Sequence, residues 1–304
     1  ENNRSGFGPY DFKLDRISFW VLIINGAFYA IQKYATDQTV VQRYLTAKSD
    51  KSAIKASLMG IFLTVPIWTI FMFIGTALFV YYKQNPLPEG ITAKTVFPYF
   101  MMTKLPTGVI GFIVAALISA AICSLSADIN SNAAVGMEDY YKKFWPNKSD
   151  IQNLYASKVM VFLSCFFAIG MGYFYLKFSS GGIIDLIFTV YAIFSGGIVG
   201  IFILGVFSAR ANRQGVNIGI IACVLFTAYA FFTSTEIGLE GHKKLLLNFG
   251  QYNFTHHKLM LGVYSHLIVI VVGYVASLFF PKPVLDTNLL YSGWLQNKRN
   301  ENKK

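Results

Sequence analysis

Residues 56–82, 105–127, 159–176, 214–235 and 259–281 each pass without a single Asp, Glu, Lys or Arg. Runs of about 20 apolar residues match the ~30 Å hydrocarbon core of a bilayer, which an α-helix crosses at 1.5 Å per residue. In lipid the backbone must satisfy its own polar groups, so such runs are helical. The charged fraction is 13%, against about 25% in ordinary soluble domains, while 54% of residues are hydrophobic and 16% aromatic. Mean hydropathy is +0.48. A soluble helical core would need a polar face on these helices, and they have none. The chain is therefore expected to be an all-α polytopic membrane protein.

Seven spans are predicted, at 17–36, 54–82, 108–136, 156–178, 183–208, 216–235 and 259–280. The formal net charge of +11 sits mostly in the connections and the tail, so it reads as a topology signal and not as a nucleic-acid surface. With residues 1–16 outside, the inner segments hold 15 Lys and Arg and the outer ones 10. That bias predicts an outer N-terminus and a cytoplasmic C-terminus, in a multi-pass protein of the plasma (inner) membrane. Cys123, Cys165 and Cys223 fall inside apolar runs and form neither a disulfide framework nor a metal motif. The chain opens at Glu1 on sixteen polar, loop-like residues, and is expected to be a fragment lacking an N-terminal portion.

Span one ends in YAIQKYATDQTVVQRYLTAK. Lys33 and Asp37, four apart, either pair on one helix face or serve separately as a snorkelling cation and a helix cap. Arg43 follows, as an inner-gate charge or a topology signal. Pro66 predicts a kink in span two. Residues 83–107 read as a short ordered excursion, and 179–182 as a flexible turn. In span five, Asp185 lies near the outer end, and Gly196, Gly200 and Gly205 form a small-residue seam for a neighbouring helix. Span six carries no signal. The loop 236–258 holds His242, His256 and His257 with Glu236 and Glu240, in no metal-binding spacing. The tail 281–304 is amphipathic and then basic, suited to an inner membrane face. No nucleotide-binding motif is present, so any transport draws on an ion gradient.

The third span is the anomaly. Cys123, Ser124, Ser126, Asp128, Asn130, Ser131 and Asn132 stand where lipid-soluble residues belong. Polar side chains at membrane depth are costly, and they line cavities, pair, or bind ligands.

Two stretches carry a family likeness: TDQTVVQRYLTAK at 36–48 and AAICSLSADINSNAAVGMEDYY at 120–141. Together, in order and with the right helices between, they resemble the sodium/solute symporter family of sodium–glucose, proline, sialate and iodide carriers. The resemblance implies a five-plus-five inverted-repeat, LeuT-like fold. Residues 17–208 would form its second repeat, 209–280 two additional membrane helices, and 281–304 a basic cytoplasmic tail, after an outer loop at 1–16. The missing N-terminal half of the transporter would supply the other repeat and half of each site.

The resemblance also implies site residues. Sodium would be held by the Ala120 carbonyl and by positions 123 and 124. Ser124 offers the hard oxygen that sodium prefers, whereas Cys123 brings a soft thiol and so contributes by its backbone or weakens the site. A second cation site in some members maps to Ser126 and Ala127, where one hydroxyl is lost and Asp128 adds a carboxylate. Asp128 then stands in for that hydroxyl or pairs with Arg43. Substrate-lining positions map to Ala30, Lys33, Tyr34 and Phe188, and an inner gate to Asp37 and Arg43. These departures speak against glucose-type binding, and the cation at Lys33 favours an anionic solute.

The resulting expectation is a non-enzymatic, sodium-coupled symporter for a sugar, sialate or organic acid. Na+ is the co-transported ion, and no organic cofactor, transition metal or nucleic acid is involved. Its partners are a small solute and the lipid bilayer. The rivals are a proton- or cation-coupled amino-acid or organic-acid permease of the same architecture, and a membrane sensory module.

Overall fold

The computed structural model describes residues 9–92, 95–178, 197–234, 236–237, 244–285, 288 and 290–301. Its chain divides into two compact units, Glu1–Asp37 with Ile183–Lys304, and Gln38–Gly182.

In the first unit, Ser18 starts helix α1 (Phe19–Ile31) as its cap: the hydroxyl accepts from the Val21 amide and donates to the Lys13 carbonyl. The helix continues as a π-helical segment, Gln32–Thr36, which stops where Asp37 becomes extended. Helices α7 (Ile198–Phe207), α8 (Arg213–Ser234) and α9 (Lys258–Ser277) follow, and α10 (Tyr291–Glu301) closes the chain. A two-residue antiparallel ladder pairs Glu236–Ile237 with Lys244–Leu245.

Helix α9 is the centre of this unit. Met260 and Val263 pack on Val21 of α1, Leu261 on Ala230 of α8, and Val269 on Leu204 of α7 and Cys223 of α8. Without a hydrophobic drive between helices in lipid, close backbone approach must supply the attraction. It does so at Gly215 and Gly219 of α8. A Cβ at Gly215 would lie 2.1 Å from the Ser277 hydroxyl, and one at Gly219 would lie 3.0 Å from the Gly273 Cα. Asn212 locks the same crossing, its side-chain amide donating to the Ser277 carbonyl at 3.0 Å while its carbonyl oxygen caps the Gly215 amide. The glycine seam expected in span five is thus only partly used. Gly200 meets α9, where a Cβ would fall 2.6 Å from the His266 carbonyl, but a Cβ at Gly205 would meet nothing within 4 Å among the described residues, and Gly196 lies outside them. Gly215, one residue before the sixth span, and Gly219, four residues on, are the usable signal that sequence reasoning missed there.

The second unit holds α2 (Gln38–Leu45), α3 (Asp50–Gln84), α4 (Val96–Lys104), α5 (Thr107–Val135) and α6 (Asp150–Phe178). Helix α3 is capped by the Ser49 hydroxyl and runs on through Pro66. The short α4 confirms the ordered excursion after span two, with Phe100 set edge-on to Tyr81 and Tyr82. Helix α5 passes through a π turn, Gly136–Tyr141, into a last turn at Lys142–Phe144. Helix α6 packs beside this turn, the Met160 sulfur lying 3.4 Å from where a Cβ at Gly136 would stand.

Among the described residues, five helices are long and apolar enough to cross a membrane: Asp50–Gln84, Thr107–Phe144, Asp150–Tyr173, Arg213–Ser234 and Lys258–Ser277. Of the other two expected spans, the first is α1 with its π continuation, and α7 is the described part of the fifth.

Candidate functional site

Through residues 120–131, α5 is an unbroken α-helix. Ala120, Cys123 and Ser124 therefore stand at i, i+3 and i+4 on one face, and all three are exposed. The helix already engages one lone pair of the Ala120 carbonyl, leaving the second open. Some hydroxyls in the spans are tied back to the carbonyl four residues earlier: Ser57 to Ala53, Thr64 to Gly60, Thr69 to Val65 and Thr76 to Met72. Those of Ser124, Ser126 and Ser131, like those of Ser119, Ser157 and Ser164, have no hydrogen-bond partner among the described residues. Membrane helices normally satisfy their polar groups internally. On this face an unbonded hydroxyl follows the Ala120 carbonyl by one helical turn, and oxygens of this kind are the donors that hard cations take.

Ser126 and Asp128 are two residues apart on a regular helix, roughly 200° around it, so they do not converge on one point. Asp128 instead lines a groove of about 630 Å³ between α5 and α6, with Asn132, Ser164 and Phe167. Arg43 is exposed on α2, and no ion pair joins it to Asp128 among the described residues.

In the first unit the Lys33 ammonium and the Asp37 carboxylate do pair across one turn. They line a cavity of about 200 Å³ together with Tyr29, Gln32, Thr36 and Ile198. The π-helical turn shapes it, because extra width opens the backbone ladder; such turns recur at functional sites. Ala30 is exposed and Tyr34 half-buried, and neither lines this cavity. Tyr29, Gln32 and Thr36, which do, escaped sequence reasoning because a π turn shifts the 3.6-residue register on which faces are counted. Phe188 and Asp185 lie outside the described residues.

The histidine loop is structural where it is described. His256 Nδ1 contacts the Tyr264 hydroxyl at 2.6 Å, and His257 caps α9 by accepting from the Leu259 amide. Burial, with Lys258 alongside, holds the His257 imidazole below its ordinary pKa. Among the described residues no group of three His, Cys, Asp or Glu is placed to hold a metal ion.

The sequence profile of the Sodium:solute symporter family matches residues 5–223. The chain belongs to this family. Its relatives include the sodium/sialic acid symporter NanT of Aliivibrio fischeri, 29% identical over 262 residues, and the sodium/sialic acid symporter SiaT of Proteus mirabilis, 30% identical over 270 residues. These alignments cover 86% and 88% of this chain but 48% and 50% of the relatives, so the chain spans about half the length of the curated relatives it matches. A solved structure, the substrate-bound outward-open state of a Na+-coupled sialic acid symporter with a novel Na+-site, superposes with a TM-score of 0.74 at 27% identity. It covers 91% of this chain, which in turn covers 54% of it. The all-helical, LeuT-like symporter fold and the multi-pass membrane class follow from these matches.

Proposed function

We propose that this chain forms one wall of the ion and solute path of a sodium-coupled secondary active symporter, which moves a small polar or anionic organic solute into the cell by alternating access. The observation that carries the reading is the exposed face of α5, where an unpartnered Ser124 hydroxyl stands one helical turn after Ala120. Sodium takes that hydroxyl and the Ala120 carbonyl, with Cys123 contributing its carbonyl because a thiol is too soft. Residues 17–208 are the second repeat, 209–280 two further helices, and the remaining ligands come from the other half of the transporter. The excess of 15 Lys and Arg over 10 sets the C-terminus in the cytoplasm.

An anionic solute such as sialate is favoured by Lys33 in its cavity and by the names of the relatives. The Asp37 carboxylate neutralises this ammonium until a solute carboxylate competes for it. Asp128, a carboxylate in a membrane-depth groove, favours a second reading in which a proton is the coupling ion.

Uptake of labelled sialic acid, sugars and organic acids by cells expressing the whole protein tests both. Accumulation that disappears when choline replaces sodium supports sodium coupling. Uptake indifferent to sodium but driven by an inward proton gradient supports the second reading.

A further inference from the structure

We propose that the end of the first unit formed by α10, the α7–α8 turn and the segment after α9 is a binding surface for anionic phospholipid headgroups. The inference is independent of what the protein transports. By topology, the C-terminus of α7, the N-terminus of α8 and the C-terminus of α9 meet at this end. Arg210 fastens them, its Nη2 donating to the carbonyls of Leu278 and Phe280 at 3.0 and 2.9 Å. Helix α10 joins the same piece through a Phe207–Tyr291 ring contact at 5.2 Å and the buried Leu290.

The surface so assembled has two chemistries. Along α10, Tyr291 and Trp294 stack at 5.8 Å, and the Lys298 ammonium sits 4.6 Å over the Trp294 ring, making an exposed aromatic and cationic stripe at i, i+3 and i+7. Arg213 and Lys282 are exposed nearby in the chain, and Phe279, on the turn after α9, is 82% exposed. With eleven residues and two cations, α10 is too short and too polar to span a bilayer. Tyr and Trp settle at the headgroup level, and cations beside them attract acidic lipids. Sequence segments 208–215 and 278–304 hold seven Lys and Arg against two acids, Asp286 and Glu301, so the field is strongly positive. Apolar exposure at the foot of a membrane span, with a basic and aromatic helix joined to the same end, fits a lipid surface better than a soluble acidic partner.

The test is amide exchange of α10 in the whole protein, reconstituted in nanodiscs of phosphatidylcholine alone or with phosphatidylglycerol. Exchange of α10 is expected to slow about thirtyfold in the anionic discs, the scale of two surface cations. The gain should be lost in Lys298→Gln/Arg299→Gln, with α9 exchange unchanged as the folding control. Lys282→Gln, away from α10, should lose part of it. Equal exchange in the two discs overturns the proposal. So does equal slowing by soluble glycerol phosphate in phosphatidylcholine discs, which would point to a phosphate site and not a lipid surface.

Discussion

Helices α8 and α9 lie next to α3, α5 and α6 in hydropathy but not in use. The most apolar windows of α8 and α9 are 28% and 39% buried within the chain, whereas those of α3, α5 and α6 are 0% buried. The buried pair spends its small residues on each other, Gly215 against Ser277 and Gly219 against Gly273. The exposed three leave their surfaces to lipid or to other protein. On α5 that open surface includes the Ala120, Cys123 and Ser124 face. The contrast separates a packing pair, in which polar and small residues face inward to one another, from a helix whose polar face stays uncovered by the described chain.

The largest test of that contrast is Gly215→Ala. The added methyl meets Ser277 backbone and side chain and must drive α8 and α9 apart, costing about 2–3 kcal/mol, read as a lower melting temperature in detergent. Gly111→Ala on α5 meets nothing within 4 Å and is expected to be neutral or slightly stabilising, by up to about 0.5 kcal/mol. If the two behaved alike, the distinction between the helix pairs would fail.

Next comes Ser124→Ala. Losing a charge-facing oxygen is expected to raise the sodium concentration for half-maximal uptake about tenfold, with the melting temperature unchanged. Ser57→Ala, whose hydroxyl is already bonded to Ala53, should leave sodium dependence alone. Equal effects from both would remove the special status of the open α5 hydroxyl.

Asp37→Asn breaks the ion pair with Lys33. Both partners are partly exposed, so the cost in stability is only about 0–1 kcal/mol. The sharper readout is substrate: freed from its carboxylate, Lys33 should bind anionic solutes more tightly and leave neutral sugars unaffected.

The smallest effect is with pH. His257 is held below its ordinary value of about 6.5 by burial and then by Lys258, so the unfolded chain takes up its proton first. Stability from this group is full above the ordinary value and declines as pH falls below it towards the folded pKa. His257→Asn, which keeps an acceptor for the Leu259 amide but does not titrate, should flatten that decline in thermal melts between roughly pH 7 and 5.

Much of this was legible in the residues. Apart from the fifth, most of which lies outside the described residues, the spans appear within a few positions of their expected places, because uncharged runs of bilayer length have few alternatives to helix. The Lys33–Asp37 pair followed from its spacing, and the polar stretch of α5 from its composition. Less legible were the cavity beside Lys33, whose lining depends on a π turn, and the separation of Ser126 from Asp128, which follows from the helix staying regular. The resemblance to symporters named positions for a second cation, but a position does not say where its side chain faces.

From the sequence alone came the membrane class, the helical fold, the family signatures and the oxygen-bearing face of α5, since each depends on the order of residues along one helix. Tertiary structure decided which glycines are in contact, that Asp128 faces α6 with no ion pair to Arg43, and which hydroxyls remain open. Those outcomes depend on segments far apart in the chain, such as Asn212 and Ser277, arriving at one crossing. Hydrophobic periodicity tells a helix which side to bury, and only the arriving partner determines what it is buried against.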